Sequence, residues 1–222
     1  MTQRTRLSRE RIVDAALDVV AREWLDALSM RRLAQELDVW PMSVYRYFRD
    51  KEELLDAVVD GATDEVVPAP PGGTWREQIG ELLRQARAAL GAEAGGLGPR
   101  FTRAMLTPGA LRMAEAGVRI LREAGLEPDE AARAWRALCG YVFGFAAFDD
   151  GAPAAASERR ARSALAALPA DEYPALTEAA AGFATALAGP EQLEYGLERM
   201  LDGLEARVAA ARAGSRRRGR AG

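Results

Sequence analysis

The sequence predicts an all-α protein built in two parts, and three observations carry that reading. Ala, Leu, Arg and Glu dominate while β-branched residues are sparse, and apolar positions recur at helical rather than alternating spacing. A Pro- and Gly-rich joint, Val67 to Thr74, then divides a small N-terminal unit from a larger helical remainder. A length of 222 residues suits one compact unit or two.

The elements follow in order. The first helix is expected to start at Ser8, whose hydroxyl can cap free amides, and to run to about Arg22 with Ile12, Ala16, Val19 and Val20 on one face. A short second helix takes Ser29 as its cap, carries Met30, Leu33, Ala34 and Leu37 as its inner stripe, and stops at Asp38-Val39. The third opens with Pro41, whose missing amide proton has no partner to lose in a first turn, and ends near Phe48. The fourth is capped by Asp50 with Glu53 three residues on, and continues through Leu54, Leu55 and Val58 to about Glu65.

Beyond the joint, Thr74 and Glu77 form a second capping box ahead of an amphipathic helix bearing Trp75, Ile79, Leu82, Leu83, Ala86 and Leu90. A Gly-rich break spans 91–98, and further helices are expected at about 100–106, 109–124, 128–148, 172–188 and 190–212. The Ala- and Arg-rich stretch 151–170 lacks a clear apolar stripe and reads as a loop with a frayed helix. The end of the chain, 214–222, reads as a basic, disordered tail. The expected division is 1–66, a linker at 67–74, a helical domain over 75–213, and the tail.

Composition removes whole classes of chemistry. The chain has no His and a single Cys, so His-based zinc sites, Ser-His-Asp triads, Cys-His dyads and internal disulfides are out of reach. No P-loop or G-x-S-x-G spacing occurs, and the reading is of a protein that is not an enzyme and needs no cofactor or metal. Cys139 sits in an apolar helical stretch and reads as a small core residue. Asp149-Asp150, at a helix end before Gly151, reads as a solvated terminus rather than a catalytic pair. No apolar run suits a signal peptide or a membrane span, which places the protein in the cytoplasm with no membrane partner.

Net charge is -3, yet it is unevenly spread. Residues 1–51 carry ten basic and eight acidic groups, 52–206 carry fourteen and twenty-five, and 207–222 carry six and none. Arg4, Arg6, Arg9 and Arg11 make the N-terminal end locally basic, so an acidic body would orient that end toward phosphates.

Two short helices joined by a tight turn over 29–48 fit a helix-turn-helix. If Val44 and Phe48 point inward, Met42, Ser43, Arg46 and Tyr47 point outward. Arg46 is the specificity candidate, because guanidinium pairs bidentately with guanine O6 and N7. Tyr45 and Lys51, near helix ends, suit phosphate contacts.

The segment 8–60 resembles the tetracycline-repressor (TetR) family of regulators. The resemblance rests on Arg11 to Ala16, on Ala27 to Ala34, and on Ser43 to Leu55, whose aromatic cluster followed by Lys51-Glu-x-Leu54-Leu55 is its most specific part. It implies that Arg31, Pro41, Met42, Ser43 and Arg46 face base edges of double-stranded operator DNA, with Ser29, Tyr45, Tyr47 and Lys51 on the backbone. Trp24 and Asp38 stand where the family usually has Gly, and Trp40 where it usually has a hydroxyl cap. Asp visits the left-handed region more readily than most residues. With Trp40, either the third helix is less firmly capped or the indole covers something such as a DNA sugar.

The last helices also resemble this family, in the Tyr195-Gly196-Leu197 and Gly203-Leu204-Glu205 spacing and in Trp135 to Asp150. The resemblance implies a homodimer joined by two helices from each protomer, with Gly140, Gly144, Gly196 and Gly203 permitting close approach. It further implies a cavity for a small-molecule effector, expected to be lined by Leu82, Ala86, Phe101, Met105, Trp135, Tyr141, Phe145 and Phe148. The family's carboxylate position falls on Phe148, and its polar contact positions on Leu82 and Ala86, so a more apolar effector than magnesium-tetracycline is expected. The reading is a ligand-responsive repressor. An effector-independent regulator or an activator stays open, as does, from another class, an all-α small-molecule enzyme.

Overall fold

The computed structural model describes residues 6–23, 27–64, 66, 72–89, 105–145, 153–189 and 191–218, and every regular element among them is an α-helix. The N-terminal unit holds α1 (Arg9–Glu23), α2 (Met30–Glu36), α3 (Pro41–Tyr45) and α4 (Lys51–Asp64). The remainder holds α5 (Trp75–Ala89), α6 (Pro108–Ala124), α7 (Pro128–Phe145), α8 (Ala154–Ala166), α9 (Pro174–Ala188) and α10 (Glu191–Arg218). No helix among the described residues is long and apolar enough to cross a membrane.

Helix starts are set by side-chain caps. Ser8 Oγ accepts the Arg11 N–H at 3.3 Å, Ser29 Oγ the Arg32 N–H at 3.1 Å, and Asp50 Oδ1 the Glu53 N–H at 2.8 Å. At α5 the box is reciprocal: Thr74 Oγ1 accepts from Glu77 N–H, and Glu77 Oε2 accepts from Thr74 N–H at 2.6 Å. The Thr74 amide and hydroxyl together hold the Glu77 carboxyl below its ordinary range.

The turn after α2 closes through a left-handed residue. Asp38 has φ 52°, its N–H donates to Gln35 O at 3.2 Å, and Val39 N–H donates to Ala34 O at 2.9 Å. This paired pattern satisfies two carbonyls at the end of α2 and reverses the chain into α3. An Asp where Gly would be strain-free costs this turn roughly 1 kcal/mol.

Two cores result, and α4 belongs to both. Ile12, Ala16, Val19, Leu28, Leu33, Val44, Phe48 and Leu54 are fully buried in the first, joined by Leu55 and Val58. One residue further along α4, Val59 turns into the second core with Val66, Ile79, Leu82, Leu83, Leu121 and Leu138, closed by Leu193, Leu197, Leu201 and Val208 of α10. Leu17 of α1 touches both.

The seam between them is tightest where α4 meets the start of α6. Gly109 N–H donates to Asp60 Oδ1, and a Cβ on Gly109 would stand 2.7 Å from the Asp60 carbonyl oxygen and 2.5 Å from Thr63 Oγ1. Thr63 is buried and its hydroxyl is spent on the Val59 carbonyl at 2.8 Å.

The structure departs from the sequence reading at three places. The stretch read as a loop with a frayed helix holds the regular helix α8, which buries only Leu165 and pairs with α9 through Glu158, Arg162 and Thr185. The final helix extends to Arg218, past the boundary drawn at residue 213, because Ala and Arg are good helix formers and one Gly costs only about 1 kcal/mol. Conversely α3 ends at Tyr45, with the Tyr47 and Phe48 amides both donating to Val44 O. Cys139 is buried in the second core, as read, and burial pushes its thiol up to about 12.

The glycines of α7 and α10 divide into two kinds. Gly196 lies directly beneath the Tyr141 ring, whereas a Cβ at Gly144 or Gly203 would meet nothing within 4 Å. Gly182 in α9 is equally open. Replacing Gly109 by Ala is expected to lower the free energy of unfolding by about 1–3 kcal/mol, while Gly182→Ala is neutral or stabilising by up to about 1 kcal/mol. Denaturant titration of both variants, each compared with wild type, measures the contrast.

Candidate nucleic-acid interface

Helix α3 stands on two anchors. Val44 and Phe48 are both 0% exposed, so the remaining positions of this short helix are forced outward. Met42 is 71% and Tyr45 46% exposed, and Arg46 and, on α2, Arg31 are also solvent-facing. Pro41, Ser43 and Lys51 are half-buried at the edges of this surface. Ser29 is exposed, its oxygen already accepting the Arg32 amide while its hydroxyl proton stays available.

Tyr47 departs from the outward row. Its hydroxyl donates to Leu7 O at 2.6 Å and its ring packs on the N-terminal core, so it ties the segment before α1 to α3. A partner forty positions away in sequence leaves no local signal for this contact.

The arginines of the N-terminal unit fall into two groups. Arg9 donates to Tyr47 O at 2.8 Å and Glu53 Oε1 at 3.0 Å while lying 4.2 Å above the Phe48 ring. Its place in the locally basic end is therefore structural. Arg32 pairs with Glu23 and Glu36, Arg22 with Glu36, and Arg49 with Asp50. These guanidiniums hold the Glu23 and Glu36 carboxyls below their ordinary range. Arg31 and Arg46, by contrast, have no carboxylate partner among the described residues. The paired arginines fix the helices, while Arg31 on α2 and Arg46 just after α3 stay exposed.

The expected effector lining scatters over several environments. Leu82 and Ala86 are fully buried in the second core, and Met105 packs half-buried against it. Trp135 is 3% exposed, its ring lies against Gly117 of α6, and its indole Nε1 has no hydrogen-bond partner. Tyr141 has a structural task instead: its hydroxyl donates to Gln192 O at 2.9 Å, joining α7 to α10, and burial pushes its pKa up. Phe145 stacks beside it at 5.9 Å between ring centroids. Phe101 and Phe148, like Arg4, Trp24 and Asp149-Asp150, lie outside the described residues. Clefts of about 480 and 470 Å³ occur elsewhere. One lies between α8, α9 and α10 beside Arg162, Thr185 and Tyr195, and the other beside Trp75 and Arg212.

With this geometry in place, comparison with known proteins gives a consistent answer. Residues 12–58 match the model of the bacterial regulatory proteins of the tetR family, and residues 67–208 match the tetracyclin repressor-like C-terminal domain. The HTH-type transcriptional repressor DrrR1 of Streptomyces coeruleorubidus is 34% identical over 218 residues, covering 93% of this chain and 80% of that protein. Apo ActR from Streptomyces coelicolor superposes with a TM-score of 0.77 at 32% identity over 92% of this chain and 99% of ActR. ActR in complex with actinorhodin gives a TM-score of 0.72 at 33% identity, covering 91% and 97%. BioQ with its double-stranded DNA operator gives 0.63 at 27% identity, covering 90% and 99%. Sequence, fold and exposed α3 surface agree: the chain belongs to the TetR family of DNA-binding transcriptional regulators.

Proposed function

We propose that this chain is a homodimeric, cytoplasmic repressor that holds operator DNA through α2 and α3 and leaves it when a small, largely apolar molecule enters the C-terminal domain. One observation carries the DNA half. Val44 and Phe48 are fully buried while Met42, Tyr45 and Arg46 face solvent with an unpaired guanidinium among them, which is the arrangement a major-groove reader needs. BioQ, a related fold, has been seen on its operator. In this reading Arg31, Pro41, Met42, Ser43 and Arg46 meet base edges, and Ser29, Tyr45 and Lys51 border the backbone.

The effector half is supported by the second core and by ActR, which has been seen with actinorhodin. An apolar pocket around Leu82, Ala86 and Trp135 would favour an apolar body. The unpaired Trp135 N–H would reward one hydrogen-bond acceptor on it, since leaving a buried donor unmet costs about 1–3 kcal/mol. The dimer half is supported by Gly144 and Gly203, which are open to solvent on α7 and α10 where a second copy can approach.

Three outcomes follow. Against a duplex selected by the wild-type chain from a random pool, Arg46→Ala should lose about 1–3 kcal/mol and relax sequence preference, whereas Lys51→Ala should weaken selected and random duplexes alike. Equal losses for both variants on both duplexes would contradict these roles. A Cβ at the exposed Gly203 meets nothing within 4 Å in the protomer, so a shift of Gly203→Glu from dimer to monomer in light scattering, with melting otherwise retained, locates the interface on α10. A compound that raises the melting temperature should bind more weakly in the presence of the selected duplex, by the same factor as it weakens DNA. Calorimetry giving equal affinities with and without duplex rejects effector control.

A further inference from the structure

Position 40 carries the most exposed large apolar side chain among the described residues. Trp40 is the residue that caps α3, with φ -71° and ψ 143°, and its indole is 83% exposed. Its backbone does what a cap requires, accepting the Ser43 N–H at 2.8 Å, but its side chain supplies no capping bond. A Ser, Thr or Asp here would serve the helix better. The fold therefore gains nothing from an indole at this place. Met42, two residues on, is the next bare apolar side chain on the same helix, and the two stand at the leading end of the surface that Arg46 closes one turn later.

The geometry points to Trp40 as a specificity-determining DNA contact: with Met42 it forms an apolar lip that packs on thymine C5-methyl groups beside the bases read by Arg46. This rests on the DNA-reading role proposed above and names what part of the duplex the lip recognises. Two features select duplex DNA as the occupant rather than a protein surface. Arg31 and Arg46, both exposed, have no carboxylate partner among the described residues, so this surface keeps unneutralised positive charge that attracts a nucleic acid. The major groove also presents the thymine C5-methyl group, an apolar feature of the base edge against which an indole face and a Met side chain can pack. Exposed Trp in such a place is the residue type that dominates binding when buried by a partner.

The test uses the full-length chain and the duplex it selects from a random pool. Trp40→Ser restores a capping oxygen, so its melting temperature should equal or exceed that of wild type. Its affinity for the selected duplex should nevertheless fall at least tenfold, while affinity for random duplex changes less than threefold. Replacing thymine by uracil in the selected duplex removes only methyl groups. It should weaken wild type severalfold and leave Trp40→Ser unaffected. Trp40→Ser binding the selected duplex as tightly as wild type, or uracil weakening both proteins equally, overturns the assignment. Arg46→Ala separates the two levels. If it loses affinity while Trp40→Ser does not, the inference alone fails; if wild type selects no duplex, the DNA-reading role fails with it.

Discussion

The structure depends on α4 serving two cores at once. Leu54, Leu55 and Val58 complete the packing of α1 to α3, while Val59, at the next position, closes onto α5 and α6. A helix in this position cannot tilt against one unit without disturbing the other. Its contact with α6 has little slack, because Asp60 takes the Gly109 amide and the backbone approach leaves no room for a Cβ. Interiors at this density switch between discrete arrangements rather than deforming smoothly. The two cores are therefore coupled through α4.

Charge is distributed to match. Inside the N-terminal unit, carboxylates are used to fix arginines: Glu53 holds Arg9, Glu23 and Glu36 hold Arg32, and Asp50 holds Arg49. Exposed pairs of this kind add little stability individually. Their effect is to neutralise Arg9, Arg22, Arg32 and Arg49, while Arg31 and Arg46 keep their charge unpaired among the described residues. The basic character of the N-terminal sequence thus overstates how much of its positive charge is left without a carboxylate partner.

Local features were legible in the sequence and remote partners were not. The caps at Ser8, Ser29, Asp50 and Thr74, the left-handed Asp38 and the inward Val44 and Phe48 all follow from spacing within a turn or two, and each is found as read. Tyr47 and Tyr141 were both read as reaching for ligands, and in both cases the hydroxyl is taken by a carbonyl forty or more residues away. The helix α8 was read only as a frayed helix within a loop, for a different reason. Its only buried side chain is Leu165, so no periodic stripe announces it, and Ala-rich propensity with support from α9 is what forms it.

The same packing constrains how an effector can act. Trp135 lies flat against Gly117, with no space for even one more carbon between the indole and α6. A ligand that displaced this indole to reach its unpaired N–H would have to push α6 along with it, since the contact is with backbone and no side chain is present to absorb the motion. Gly109, in the first turn of α6 and eight residues before Gly117, is locked to Asp60 of α4. Movement of α4 carries Leu54, Leu55 and Val58, and with them the seating of Phe48 beneath α3. Trp135 and the seating of α3 are therefore joined through two helices and two close contacts, at Gly117 and at Gly109, and a ligand that bound two arrangements of them unequally would shift the balance between them.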